Sequence, residues 1–141
     1  MSTEQTTKAS GACLCGGVTY EVDGPLDDVI YCHCSQCRKS SGHYVAATSC
    51  RREDLTVTVD DGLRWFQSSP EAERGFCERC GSSMFWRYDN SPTISIMPGS
   101  LETPTGLKAN VHIFVADASD YYTIDDGLPQ HADYGSVDPA E

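Results

Sequence analysis

Seven of the eight cysteines in this 141-residue chain fall into three tight clusters, and their spacing restricts the fold more than any other feature. The first is Cys13-Leu14-Cys15, the second Cys32-His33-Cys34-Ser35-Gln36-Cys37 and the third Cys77-Glu78-Arg79-Cys80, with Cys50 standing alone. Thiols two or three residues apart can aim at one ion lying about 2.3 Å from each sulfur, whereas bonding them to each other would strain the disulfide torsion. A disulfide framework would have to cross-pair the clusters. The opening MSTEQTTKAS has no apolar run of the secretory kind, so the expectation is a cytoplasmic, reducing setting with the thiols kept for metal.

Structural zinc takes four ligands, usually as two close pairs from separate parts of a chain. Cys13 with Cys15 and Cys77 with Cys80 are two such pairs. Each is followed by glycine, Gly16 and Gly17 in one case and Gly81 in the other, where the backbone can turn back and aim N–H groups at the sulfurs. Cys32, Cys34 and Cys37 supply three ligands with no evident fourth, the pattern of a catalytic zinc with an open position. Cys50 or one of His33, His43, His112 and His131 could instead close that site, and other pairings of the clusters remain compatible with the spacing. His33, between two ligands on an extended segment, points away from the ion and reads as a histidine behind the ligands or simply an exposed one. Cys50 reads as a buried or spectator thiol. Thiolate sites of this kind also accept iron.

The chain carries 10 Lys+Arg against 21 Asp+Glu, a net charge of −11, which disfavours nucleic acid and anionic membrane as partners. Arg38 and Lys39, directly after Cys37, are the cations best placed in sequence to balance the middle cluster, if they face it rather than solvent. Alternation at Val18, Tyr20 and Val22, at Leu55, Val57 and Val59, around Phe85, at Ile94 and Ile96, and at Val111, Ile113 and Val115 predicts strands. No window shows a helical period. Ser35 could cap a single turn reaching Lys39. The expected fold is one mainly β domain over residues 10–129 with short helical turns. It lies between a flexible segment 1–9 and a loosely ordered tail 130–141. The pairs Trp65-Phe66, Phe85-Trp86 and Tyr121-Tyr122 read as core and cross-strand packing, with a substrate wall as the alternative for any one of them.

Gly11–Tyr20, Tyr31–Arg38, Arg74–Ser82, Gly99–Glu102, His112–Phe114 and Asp126–Pro129 together resemble the family of glutathione-dependent formaldehyde-activating enzymes and centromere protein V. The resemblance covers Gly11 to Pro129. It implies a β-tent stapled by two zinc ions per chain, with Cys13, Cys15, Cys77 and Cys80 on the structural ion and Cys32, Cys34 and Cys37 on the catalytic one. It also implies a carbon-sulfur lyase like S-(hydroxymethyl)glutathione synthase, joining a small thiol, glutathione or similar, to formaldehyde or a related aldehyde. Gly99-Ser100-Leu101-Glu102 departs from the more usual Gly-Thr-Leu-Asp. A zinc-stapled binding or carrier module without catalysis is the alternative, and a fourth protein ligand on the second zinc would favour it.

Overall fold

The computed structural model describes residues 8–134. In chain order the strands are β1 (Lys8–Ala12), β2 (Thr19–Asp23), β3 (Val29–Cys32), β4 (Val45–Arg51), β5 (Leu55–Val59), β6 (Leu63–Ser69), β7 (Ala72–Cys77), β8 (Ser83–Tyr88), β9 (Thr93–Ile96) and β10 (Ala109–Ile113). One α-helix, α1 (Ser35–Ser41), and three single 3₁₀ turns complete the described elements. The mainly β expectation with short helical turns therefore holds.

The alternation at residues 18–22 becomes β2, where Tyr20 and Val22 are buried and Glu21 and Asp23 exposed. β2 lies between β1 and β5 in an antiparallel three-stranded sheet. The other sheet runs β10-β3-β4-β9-β8-β7-β6, and its pairs are antiparallel except β3 with β10. Val18, Tyr20 and Val22 share one core with Met84, Phe85 and Ile96 of the larger sheet. Tyr20 meets Phe85 edge-on at 5.3 Å, and its hydroxyl is bonded to that of Ser100 at 2.6 Å, so a buried phenol is both packed and satisfied. Met84 and Phe85 are both buried although they are consecutive. Phe85 faces Gly75 while Ser83 faces Phe76, which leaves Met84 as the extra residue of a bulge that turns both side chains inward.

Five strands carry no alternation that the sequence makes visible. β4, VAATSCR, is built of small residues, and β7 buries only Ala72, Gly75 and Cys77. At Gly75 a Cβ would come 3.0 Å from the Trp65 ring, so a glycine inside this strand makes room for the indole.

Both ends of the expected domain extend further than the sequence suggests. β1 begins at Lys8, inside the segment expected to be flexible, because backbone pairing with β2 orders it and Ala9 packs against the core. Residues 130–134, expected to be loose, are stitched to β10: His131 N–H donates to the His112 carbonyl at 2.9 Å, and Phe114 N–H to that of Asp133 at 3.0 Å. Segments 1–7 and 135–141 lie outside the described residues.

Candidate functional site

The fold brings the first and third cysteine clusters together. Cys13 and Cys15 sit on the turn before β2, Cys77 closes β7 and Cys80 sits on the turn after it, with all four sulfurs within 4.8 Å of one another. Sulfurs placed tetrahedrally about 2.3 Å from one ion are separated by about 3.8 Å. Cys13 to Cys15 is 3.8 Å and Cys15 to Cys77 is 3.7 Å, so the donor set fits a tetrahedral thiophilic ion. Gly16 and Gly81 adopt φ of 83° and 80°, the left-handed turn expected of them. The turns aim N–H groups at sulfur: Val18 N–H donates to Cys13 Sγ at 3.3 Å, and Gly17 N–H reaches Cys15. The Ser82 hydroxyl, with its backbone N–H, holds the Cys80 thiol down to about 5. At Gly62 a Cβ would lie 2.5 Å from Cys77 Sγ, which explains a glycine at this close approach.

The middle cluster forms a second group: Cys32 ends β3, Cys34 precedes α1 and Cys37 occupies its first turn, again with all sulfurs within 4.8 Å. The helix is longer than expected and its cap is different. Cys34, not Ser35, is the N-cap, in extended geometry, with its sulfur accepting from Cys37 N–H at 3.3 Å. One thiol thus starts the helix and stands beside the other two. Hydrogen bonding with Cys32 and Cys37 pushes the Cys34 thiol far down, and the same crowding pushes Cys32 far up. Such a cluster favours sharing a cation.

Among the described residues no fourth Cys, His, Asp or Glu joins this group. Cys50 is buried in the core with Tyr20, Met84 and Phe85, as a spectator would be, and its burial pushes its thiol up to about 11. His33 belongs to neither sulfur group, and it is fully buried rather than exposed. It is the centre of a hydrogen-bond chain from Asp126 Oδ2 to His112 Nε2 (2.8 Å), His112 Nδ1 to His33 Nε2 (2.8 Å) and His33 Nδ1 to the Tyr122 hydroxyl (2.6 Å). A carboxylate only accepts, so with both rings neutral every donor meets an acceptor: His112 donates to Asp126, His33 to His112, and Tyr122 to His33. Burial lowers the His33 pKa and keeps that ring neutral. His43 stands apart, exposed and bonded to the Tyr121 hydroxyl at 2.6 Å.

The three sulfurs open onto a cavity of about 340 Å³. Ile30, Val45, Ala47 and Met97 form an aliphatic wall, and Trp86, Phe114, Tyr88 and Tyr134 an aromatic one. Arg38 and Lys39 do not line it, since successive helical residues rotate by about 100° and Cys37 already points inward. The cation that does is Arg74 on β7, whose Nη2 lies 3.8 Å from Cys37 Sγ. Of the three aromatic pairs, Phe85-Trp86 is divided, one ring in the core and the other on the cavity. Phe66 and Tyr121 point outward, 63% and 60% exposed, while Trp65 packs on Phe85 and Tyr122 completes the histidine chain. Arg74, Tyr88, Phe114 and Tyr134 are the residues that reading the sequence missed. A basic residue three positions before Cys77 was the one available signal.

No helix among the described residues is long and apolar enough to cross a membrane. Residues 8–117 match the family model described as glutathione-dependent formaldehyde-activating enzyme. A lyase of Schizosaccharomyces pombe, uncharacterized by its name, is 30% identical over 80 residues, spanning 57% of this chain and 58% of its own length. A Halomonas elongata protein, assigned by name to the glutathione-dependent formaldehyde-activating enzymes, is 28% identical over 129 residues, covering 82% of this chain and 80% of its own. Among solved structures, the crystal structure of a Rhodobacter sphaeroides protein superposes with a TM-score of 0.58 at 27% identity, covering 71% of this chain and 97% of that one.

Proposed function

The chain belongs to the glutathione-dependent formaldehyde-activating enzyme family, and from that premise we propose that it is a zinc-dependent carbon-sulfur lyase joining a small thiol, glutathione or similar, to formaldehyde or a related aldehyde. The observation that carries the reading is a three-sulfur cluster that opens onto a cavity with a guanidinium beside it, whereas the four-sulfur cluster ties together two distant parts of the chain. Cys13, Cys15, Cys77 and Cys80 are assigned to a structural zinc, and Cys32, Cys34 and Cys37 to a catalytic one. Zinc at the second cluster supplies Lewis acidity, lowering the pKa of a substrate thiol.

The remaining work falls to the chain. Three thiolates and a divalent ion sum to −1, and an arriving thiolate makes −2, so the Arg74 guanidinium is the local charge that makes entry tolerable. The aliphatic wall gives the cavity apolar surface beside the sulfurs, and the cavity holds the aldehyde there. The molecule's charge of −11 repels an anionic thiol at long range, so Arg74 acts only once the thiol is inside. A cytoplasmic location fits a site that needs reduced cysteines.

Exchange spectroscopy between glutathione and its formaldehyde adduct tests the proposal. Exchange faster than in buffer, abolished by chelation, is expected. No acceleration for glutathione or other small thiols would overturn it.

A further inference from the structure

The proposed reaction leaves one requirement unmet by the cysteines and Arg74: the carbonyl oxygen gains a negative charge as the carbon-sulfur bond forms and needs a proton. We propose that the paired hydroxyls of Tyr88 and Tyr134 supply it, an inference that rests on the function proposed above. Both tyrosines line the cavity with the three cysteines, and their hydroxyl oxygens are 3.0 Å apart. Two hydroxyls joined by one hydrogen bond use one of their two protons in that bond, so the pair keeps one O–H free to donate. The other hydroxyls on the cavity, Ser35, Ser49, Ser69 and Ser95, are far weaker acids. Glu71 is exposed, and Arg74 is engaged with Cys37 Sγ.

The pair is built by the fold. Tyr88 ends β8, with its ring edge-on to Trp86 at 4.6 Å and its carbonyl accepting from the Arg52 guanidinium. Tyr134 comes from the segment stitched to β10. There Phe114 takes a left-handed conformation, φ 56° and ψ 37°, sparsely populated for a bulky side chain, and its ring meets that of Tyr134 edge-on at 4.6 Å. The Phe114 N–H donates to the Asp133 carbonyl, so this backbone turn both closes the tail onto β10 and seats Tyr134 on the cavity. Tyr134 lies beyond residues 8–117, the span that matches the family model. Burial pushes the Tyr134 phenol upward, so it stays protonated at neutral pH.

The step balances. The sulfur lone pair forms the carbon-sulfur bond, the carbonyl π pair moves to oxygen, and that oxygen takes the free tyrosine proton. The proton shed by the entering thiol restores the tyrosine, so thiol plus aldehyde gives the hydroxymethyl thioether with no net gain or loss.

The test compares wild type, Tyr134→Phe, Tyr88→Phe and the double variant by exchange spectroscopy with glutathione and its formaldehyde adduct, alongside zinc content and melting temperature. Phenylalanine keeps the ring packing and removes only the hydroxyl. The expected result is a fall in the maximal exchange rate of about 10-fold for each single variant and about 100-fold for the double, with thiol concentration dependence and zinc content unchanged. An active wild type with an equally active double variant would overturn this inference alone. A wild type with no activity on any thiol would overturn the function and the inference together.

Discussion

The two cysteine groups have the same donor chemistry and similar sulfur spacing, yet their surroundings differ at every level. The four-sulfur group lies between two glycine turns whose N–H groups aim at it, with Cys13 and Cys77 buried and Cys15 exposed. It joins points more than sixty residues apart, because Cys15 and Cys77 are separated by 62 positions. The three-sulfur group comes from six consecutive residues and closes no long loop. It faces a cavity and has a guanidinium 3.8 Å from one sulfur. Loop closure across distant strands makes a staple, whereas three local ligands with open space before them make a place for a substrate.

The contrast is most exposed to Cys80→Ser. Losing one ligand of the staple is expected to lower unfolding stability by more than about 4 kcal/mol, read by denaturant titration at fixed zinc. Stability near that of wild type would remove the structural role. Cys37→Ser should do the opposite. Zinc should fall from about two to about one per chain by elemental analysis and accelerated thiol exchange should vanish, while the unfolding transition stays cooperative. If both variants unfold the chain equally, the division of labour is wrong. The smallest effect belongs to Arg74→Gln, which should leave zinc content intact. It should raise the thiol concentration needed for half-maximal exchange by about 10-fold, with Arg74→Lys recovering part of the loss. A Gln variant with unchanged thiol affinity would take Arg74 out of substrate binding.

How much of this was legible in the sequence follows from distance along the chain. The seven clustered cysteines could be read because ligand spacing is local, and Gly16 and Gly81 because a left-handed turn is a one-residue property. The strands with clean alternation could be read for the same reason. β4 could not, since its small residues are selected by neighbours on both sides. Arg74 reaches Cys37 only through the pairings that carry β7 across β8 and β9 to β4, and the sequence shows no trace of that path. Arg38 looked better placed because it is adjacent, and adjacency on a helix turned it aside. His33 could be read only as a histidine behind the ligands or an exposed one, because its two partners, His112 and Tyr122, lie 79 and 89 residues away.

The parallel pairing of β3 with β10, and of the tail with β10, also sets an order of assembly. A chain leaving the ribosome from its N-terminus presents Cys32, Cys34 and Cys37 about a hundred residues before the tyrosine that walls their cavity. The staple's last ligand emerges roughly midway through that interval. During synthesis, then, the three clustered thiols wait longest beside unfinished structure, until the segment that carries Tyr134 arrives.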